Sequence, residues 1–274
     1  MENILRILAA FLSTSAFATL LGIGLAVAAK KLRVEKDESI EKLSVLLPGL
    51  NCGACGYAGC EPYAEALASG TDIDITRCTP GGSQTRSALG EELGLETSDS
   101  TVREAARLAC NGGVNIAVKD YRFAGYADCE SVSQHFGGDK GCKYGCLGLG
   151  SCVKTCPVDA IFYTANGLVK VDEEKCIGCK LCVTVCPTGV MKMVNADSHW
   201  FVACNSRDKA KVTKSLCSVG CIACRICERK FPEAGFVVTD NLSILDYNEK
   251  NSEEQASAAA ACPPKCIINT KEKI

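Results

Sequence analysis

The chain has 274 residues, 21 of them cysteine, with 30 Lys and Arg against 32 Asp and Glu for a net charge of −2. That balance offers no broad basic field of the kind that holds nucleic acid, which is not expected as a partner. One Trp and seven Tyr leave little aromatic material, so small domains of this chain need staples, either disulfides or metal clusters.

Residues 7–29, ILAAFLSTSAFATLLGIGLAVAA, run without a charge. As a helix they span roughly 35 Å, enough to cross a bilayer core. The run exceeds the apolar region of a cleaved signal peptide, about 7–15 residues. Lys30, Lys31 and Arg33 follow at once, so the positive-inside rule puts the rest of the chain in the cytoplasm. Residues 1–35 are expected to be a single-pass anchor in the cell membrane. A reducing compartment also suits thiolate ligands.

Residues 36–95 read as a small four-cysteine domain. KDESIEKLSVLLPG predicts a helix with Ile40, Leu43 and Leu47 on one face, ended by Pro48 and Gly49. Cys52, Cys55 and Cys60 then share a loop with Gly53, Gly56 and Gly59, glycines that let backbone approach a bulky group. EPYAEALASG predicts a helix capped by Gly70, and Cys78 follows it. Three closely spaced cysteines and a fourth suit one [4Fe–4S] cluster; zinc is the alternative. Residues 79–100 are polar and read as a surface connection. Within the connecting region 96–140, TVREAARLACNGG predicts a short helix ending at Gly112, and 114–140 carry no strong pattern.

The strongest pattern begins at Cys142. Cys176, Cys179, Cys182 and Cys186-Pro187 form an unmodified C-x₂-C-x₂-C-x₃-C-P run, the ligand run of a bacterial ferredoxin, in which the fourth cysteine ligates the other cluster. Cys156 therefore joins Cys176, Cys179 and Cys182. The first run is irregular, because Leu149 stands where a cysteine is due. Cys142 is the expected substitute, giving Cys142, Cys146, Cys152 and Cys186. Between the runs, AIFYTANGLVKVD predicts a hairpin turning at Asn166-Gly167. Met191 and Met193 read as alternating core positions of a strand. Residues 141–198 are expected to be a two-cluster ferredoxin module.

Residues 199–274 repeat it. An advance of 75 carries Cys129, Cys142, Cys146 and Cys152 onto Cys204, Cys217, Cys221 and Cys227, and Leu149 onto Cys224. It carries Cys156, Cys176, Cys179 and Cys182 onto Phe231, Asn251, Glu254 and Ser257. Those four positions are the ligands of a single cluster, and all four are lost together. The other cluster keeps Cys221, Cys224, Cys227 and Cys262. Ser252 and Gln255 predict a capping box opening a helix in place of the emptied loop. Cys266 falls where Val190 stands and reads as a core residue. Cys204 and Cys217 read as structural thiols, with a labile pair or extra ligands as the alternatives. His135, His199 and Trp200 read as packing or surface residues, and no catalytic residue is expected.

The fold class is thus α+β: a transmembrane helix, a four-cysteine [4Fe–4S] domain and two tandem ferredoxin-like modules, the second degenerate. With the anchor, LPGLNCGACGYAGCEPYAEAL, CTPGG and KGCKYGCLGLGSCVKTCP in this order, the chain resembles the B subunit of Rnf ion-translocating electron transport complexes. The resemblance implies four [4Fe–4S] clusters. Electrons would enter from soluble ferredoxin and pass toward flavin-carrying and membrane subunits that reduce NAD, driving ion export. The chain would be a subunit of an ion-translocating ferredoxin:NAD oxidoreductase. A membrane-tethered carrier serving another acceptor, such as a redox regulator, is the alternative.

Overall fold

A computed structural model describes residues 2–31, 37–96, 103–247 and 251–270. The chain separates into two compact units, residues 1–42 and 43–274. The first unit contains α1 (Glu2–Lys31). Its Phe11–Lys31 stretch is the one helix among the described residues long and apolar enough to cross a bilayer. Phe11, Leu20 and Leu25 stand exposed along it, whereas a core helix would bury such side chains. By length and composition this helix is a candidate membrane span.

The helix α2 (Glu38–Leu46) leads into the second unit, where Leu43 and Leu47 are buried. Next comes α3 (Cys60–Ala68), which buries Tyr63, Ala64 and Leu67. Its end is made by Gly70 at φ 69°, whose N–H donates to Leu67 O. Two segments depart from expectation. Residues 82–93, read as surface connection, form α4 (Gly82–Leu93), ended by left-handed Gly94. Its anchor is Leu89, fully buried, with Thr85 and Arg86; so few apolar residues leave little periodic signal. The expected helix ending at Gly112 is instead β1 (Glu104–Leu108), antiparallel to β4 (Met191–Asn195). Ala, Arg and Glu favour helix locally, but β4 needs a partner and Ala105 and Ala106 fit beneath it, buried. The connecting region therefore completes the first module, to which it also gives α5 (Cys129–Ser133).

That module continues through α6 (Ser151–Thr155), the hairpin β2 (Ile161–Tyr163)–β3 (Val169–Val171) and α7 (Leu181–Thr184) before β4. The hairpin turns at Asn166-Gly167 as expected, with Gly167 at φ 72°. Met191 is buried in β4 and Met193 half-buried.

The second module repeats this order. It contains β5 (Trp200–Val202), α8 (Ala210–Leu216), α9 (Ile226–Arg229), a 3₁₀ turn (Pro232–Ala234), the hairpin β6 (Phe236–Thr239)–β7 (Leu242–Leu245), α10 (Ser252–Ala260) and β8 (Ile267–Asn269). The β5–β8 ladder joins the two modules. Because successive side chains of a strand face opposite ways, Phe201 and Ile268 pack into the first module's core while Val202 and Ile267 pack into the second's. Fully burying a side chain such as Phe201 contributes about 1.5–3 kcal/mol.

The helix α10 fills the loop that lost its cysteines. Its N-cap is Asn251, not Ser252, and Asn251 Oδ1 accepts from Glu254 N at 3.1 Å. Gln255 does not close a capping box; its Nε2 donates to Ala234 O. Phe231 packs, partly buried, against the core of the second module. Pro232 opens the 3₁₀ turn, where a missing N–H costs nothing.

Candidate metal centres

The three cysteine loops of the modules share one backbone path. Two residues after the first cysteine the chain is left-handed at Gly148, Gly178 and Ala223, and four residues after it at Gly150, Lys180 and Arg225. Each loop then enters a short helix bearing the third cysteine, Cys152, Cys182 or Cys227. The first bend aims backbone N–H groups at sulfur: Gly148 N–H serves Cys146 and Ala223 N–H serves Cys221. Cys156 Sγ accepts from Ala160 N and Cys176 Sγ from Ala106 N.

These loops wall separate cavities. Cys52, Cys55, Cys60 and Cys78 line one of about 300 Å³, floored by Tyr63, whose hydroxyl donates to Asp74 O. Cys156, Cys176, Cys179 and Cys182 line one of about 330 Å³. Cys221, Cys224, Cys227 and Cys262 line one of about 320 Å³, together with Cys266. In these three the residues grouped from spacing stand around one space.

The remaining set differs from expectation. Cys146, Cys152 and Cys186 line a cavity of about 350 Å³, but their fourth companion is Cys129, not Cys142. The place left by Leu149 is reached from α5, whose Cys129 N–H donates to Ser151 Oγ beside Cys152. Cys142 instead begins a turn closed by Gly145 N on Cys142 O. Its sulfur faces a different cavity, of about 450 Å³, with Cys110, Cys204 and Cys217. No pattern around Cys129 marks it as a ligand; only the missing middle cysteine of the loop, at Leu149, implied that one must come from elsewhere.

The sites suit clusters better than single ions. Zinc draws its four ligands to within about 2.3 Å of one point. Among the described residues no three Cys, His, Asp or Glu side chains converge that closely; the thiols ring spaces of several hundred Å³. Burial pushes Cys146 up to about 11 and Cys152 and Cys182 up to about 12. Such thiols surrender their protons to a bound cation rather than to water. Cys221 and Cys262 are moved below the ordinary thiol range by Cys266, whose single proton can be donated to one or the other and which is itself held protonated. Cys262 and Cys266 Sγ are 3.6 Å apart. Cys266 is almost wholly buried, and its carbonyl accepts from Ala203 N as that of Val190 accepts from Ala109 N. It occupies the Val190 position of the second module.

The cavities are neighbours. Cys52 lies within electrostatic reach of Cys179, and Cys182 within reach of Cys152. The four-cysteine domain abuts the first module at Gly178, where a Cβ would stand 3.3 Å from Thr79 Cγ2.

Comparison with known proteins agrees with this layout. A family model described as "Putative Fe-S cluster" matches residues 47–80, and one described as "4Fe-4S dicluster domain" matches residues 143–193. The chain is 36% identical over 256 residues to the B subunit of the Na(+)-translocating ferredoxin:NAD(+) oxidoreductase complex of Acetobacterium woodii, covering 93% of this chain and 76% of that one. It is 34% identical over 246 residues to the B subunit of the ion-translocating oxidoreductase complex of Methanosarcina acetivorans, covering 90% and 92%. It is also 34% identical over 249 residues to the B subunit of the proton-translocating ferredoxin:NAD(+) oxidoreductase complex of Clostridium ljungdahlii, covering 90% and 86%.

Proposed function

We propose a specific task for this chain from the premise that it belongs to the B-subunit family of Rnf-type ion-translocating oxidoreductase complexes. As such it is an electron-transfer iron–sulfur subunit that assembles with other subunits of a membrane complex. In the proposed task its cysteine-rich part faces the cytoplasm, takes electrons from reduced soluble ferredoxin and passes them toward the subunits that reduce NAD. Four sets of cysteines would hold [4Fe–4S] clusters: Cys52, Cys55, Cys60 and Cys78; Cys156, Cys176, Cys179 and Cys182; Cys129, Cys146, Cys152 and Cys186; and Cys221, Cys224, Cys227 and Cys262. Bound there, the clusters supply reversible one-electron storage.

The protein's share is to hold that chemistry in place. Left-handed loop residues aim N–H groups at the sulfurs, which stabilises the reduced, more negative state. The observation that carries the reading is contiguity, from Cys52 to Cys179 and from Cys182 to Cys152. Neighbouring cysteine sites support a conduit for electrons rather than a substrate pocket. Transfer between proteins favours a small, transient docking surface.

The test is anaerobic mixing of the detergent-solubilised full chain with each donor while the visible absorption is followed. Reduced ferredoxin should bleach it, and NADH alone should not. Direct reduction by NADH without a flavoprotein would sink this reading.

A further inference from the structure

We propose that Cys110, Cys142, Cys204 and Cys217 hold a fifth [4Fe–4S] cluster at the junction of the two ferredoxin modules. The four thiols line one cavity, at about 450 Å³ the largest of the cysteine-lined spaces described above. None is disulfide-bonded.

Each module contributes the same two cysteines. Cys110 follows β1 in Ala109-Cys110-Asn111, and Cys204 follows β5 in Ala203-Cys204-Asn205, each two residues past the strand. The two strand ends are structural equivalents: Ala109 N donates to Val190 O at 2.8 Å, and Ala203 N to Cys266 O at 2.7 Å. Cys142 and Cys217 each open a Cys-x-x-Gly-Cys turn in which Gly145 N donates to Cys142 O and Gly220 N to Cys217 O. The correspondence of Cys204 is thus with Cys110, 94 residues earlier, and not with Cys129. Two copies of one supersecondary unit face each other, and Asn111 N on Ala203 O at 3.1 Å ties their strand ends together. Four separate packing thiols would not have to occur as two equivalent pairs.

The sulfurs are dressed like those of the other sites. Tyr144 N–H serves Cys142, Ser206 N–H serves Cys204 and Val219 N–H serves Cys217. This is the same two-residue reach by which Gly148 serves Cys146. A second feature points to a negative occupant. Lys140 is buried in the wall, with Nζ on Gly112 O at 2.7 Å. A buried ammonium is costly without an opposing charge. When four thiols take up a cubane core of charge 2+, they release four protons and leave a site of net charge about −2, beside which that ammonium is compensated.

The position gives the site a task. This part rests on the relay reading. Cys146 of the first module lies within electrostatic reach of Cys110, and Cys204 Sγ accepts from Cys221 N at 3.2 Å. The junction site therefore stands between the first module's cavity and the one retained in the second. One electron arrives from one neighbour and leaves to the other; no bond is made or broken. The order becomes Cys52, Cys179, Cys152, the junction site and Cys221.

The experiment is anaerobic native mass spectrometry of the full chain in detergent, joined to iron and acid-labile sulfide counts. The expected result is a mass carrying five cubanes and about twenty irons per chain. Cys110→Ser combined with Cys204→Ser should lose about a fifth of both iron and sulfide, while the reduced-state paramagnetic signals of the remaining clusters persist. A mass with four cubanes and about sixteen irons would overturn the proposal without touching the relay. So would a wild-type count that the double variant leaves unchanged. Because the wild-type mass is read first, poor folding of the variant does not protect the idea.

Discussion

Replacing Glu173 should do more harm than replacing Arg107, although Arg107 is the more deeply buried partner. The Arg107 side chain on β1 is 4% exposed and that of Glu173 is 27% exposed. Nε donates to Glu173 Oε1 at 2.7 Å, Nη2 to Oε2 at 2.8 Å, and Nη2 also to Ser198 O at 2.7 Å. The guanidinium lies 6.0 Å from the centroid of the Phe201 ring, so the group pins the first module against the strand that begins the second. Glu173→Leu strands a buried cation, at a cost of about 3–5 kcal/mol. Arg107→Met keeps much of the stem and leaves a carboxylate that water can reach; it should cost about 1–3 kcal/mol, the value of the lost charge-assisted bonds. Trp200, the sole tryptophan, adjoins Phe201, so its fluorescence reports on this junction. Anaerobic unfolding of the full chain at fixed guanidinium, followed at Trp200, should quicken by on the order of a hundredfold in Glu173→Leu and about tenfold in Arg107→Met. The reasoning fails if Arg107→Met is the faster of the two, or if neither differs from the parent.

Three further outcomes follow from particular contacts. Gly148→Ala would place a Cβ 2.3 Å from Gly167 O at a φ of +75°; backbone cannot rotate aside, so iron counts should fall by about four per chain, the load of the cavity walled by Cys146 and Cys152. Cys262→Ser should remove about four irons, whereas Cys266→Ala, at the Val190 position, should remove none; equal loss from both would show that Cys266 is itself a ligand. Protease added outside right-side-out vesicles should spare everything after Lys31, and digestion there would reverse the orientation read from Lys30, Lys31 and Arg33.

What spacing reveals here is ligand chemistry that is local in sequence. Cys52, Cys55 and Cys60, and the run from Cys176 to Cys186, ring their cavities because a cubane requires that spacing of its loop. The paired loss at Phe231, Asn251, Glu254 and Ser257 was legible for the same reason, and α10 stands where the loop emptied. The misplaced ligands fail for non-local reasons. Cys129 reaches its cavity by the packing of α5 on Ser151, which no spacing records. Cys142 was nearer in sequence and faced the other way. The register of 75 matched the loops but not the strand ends, where an insertion makes the true offset 94; Ala-Cys-Asn occurs at both strand ends and was readable once a second offset was allowed. At Glu104–Leu108 helix propensity lost to the unsatisfied edge of β4, and α4 was hidden by having Leu89 as its main apolar anchor.

A carrier of this kind has a fixed number of one-electron sites. Coulometric reduction of the anaerobic full chain, with paramagnetic resonance recorded at each step, measures that number directly. The prediction is uptake of about five electrons per chain, one per cubane, with signals broadened by neighbouring spins; about four would remove only the junction site. Zinc at these thiols with no electron uptake, or isolated non-interacting signals, would contradict the relay itself.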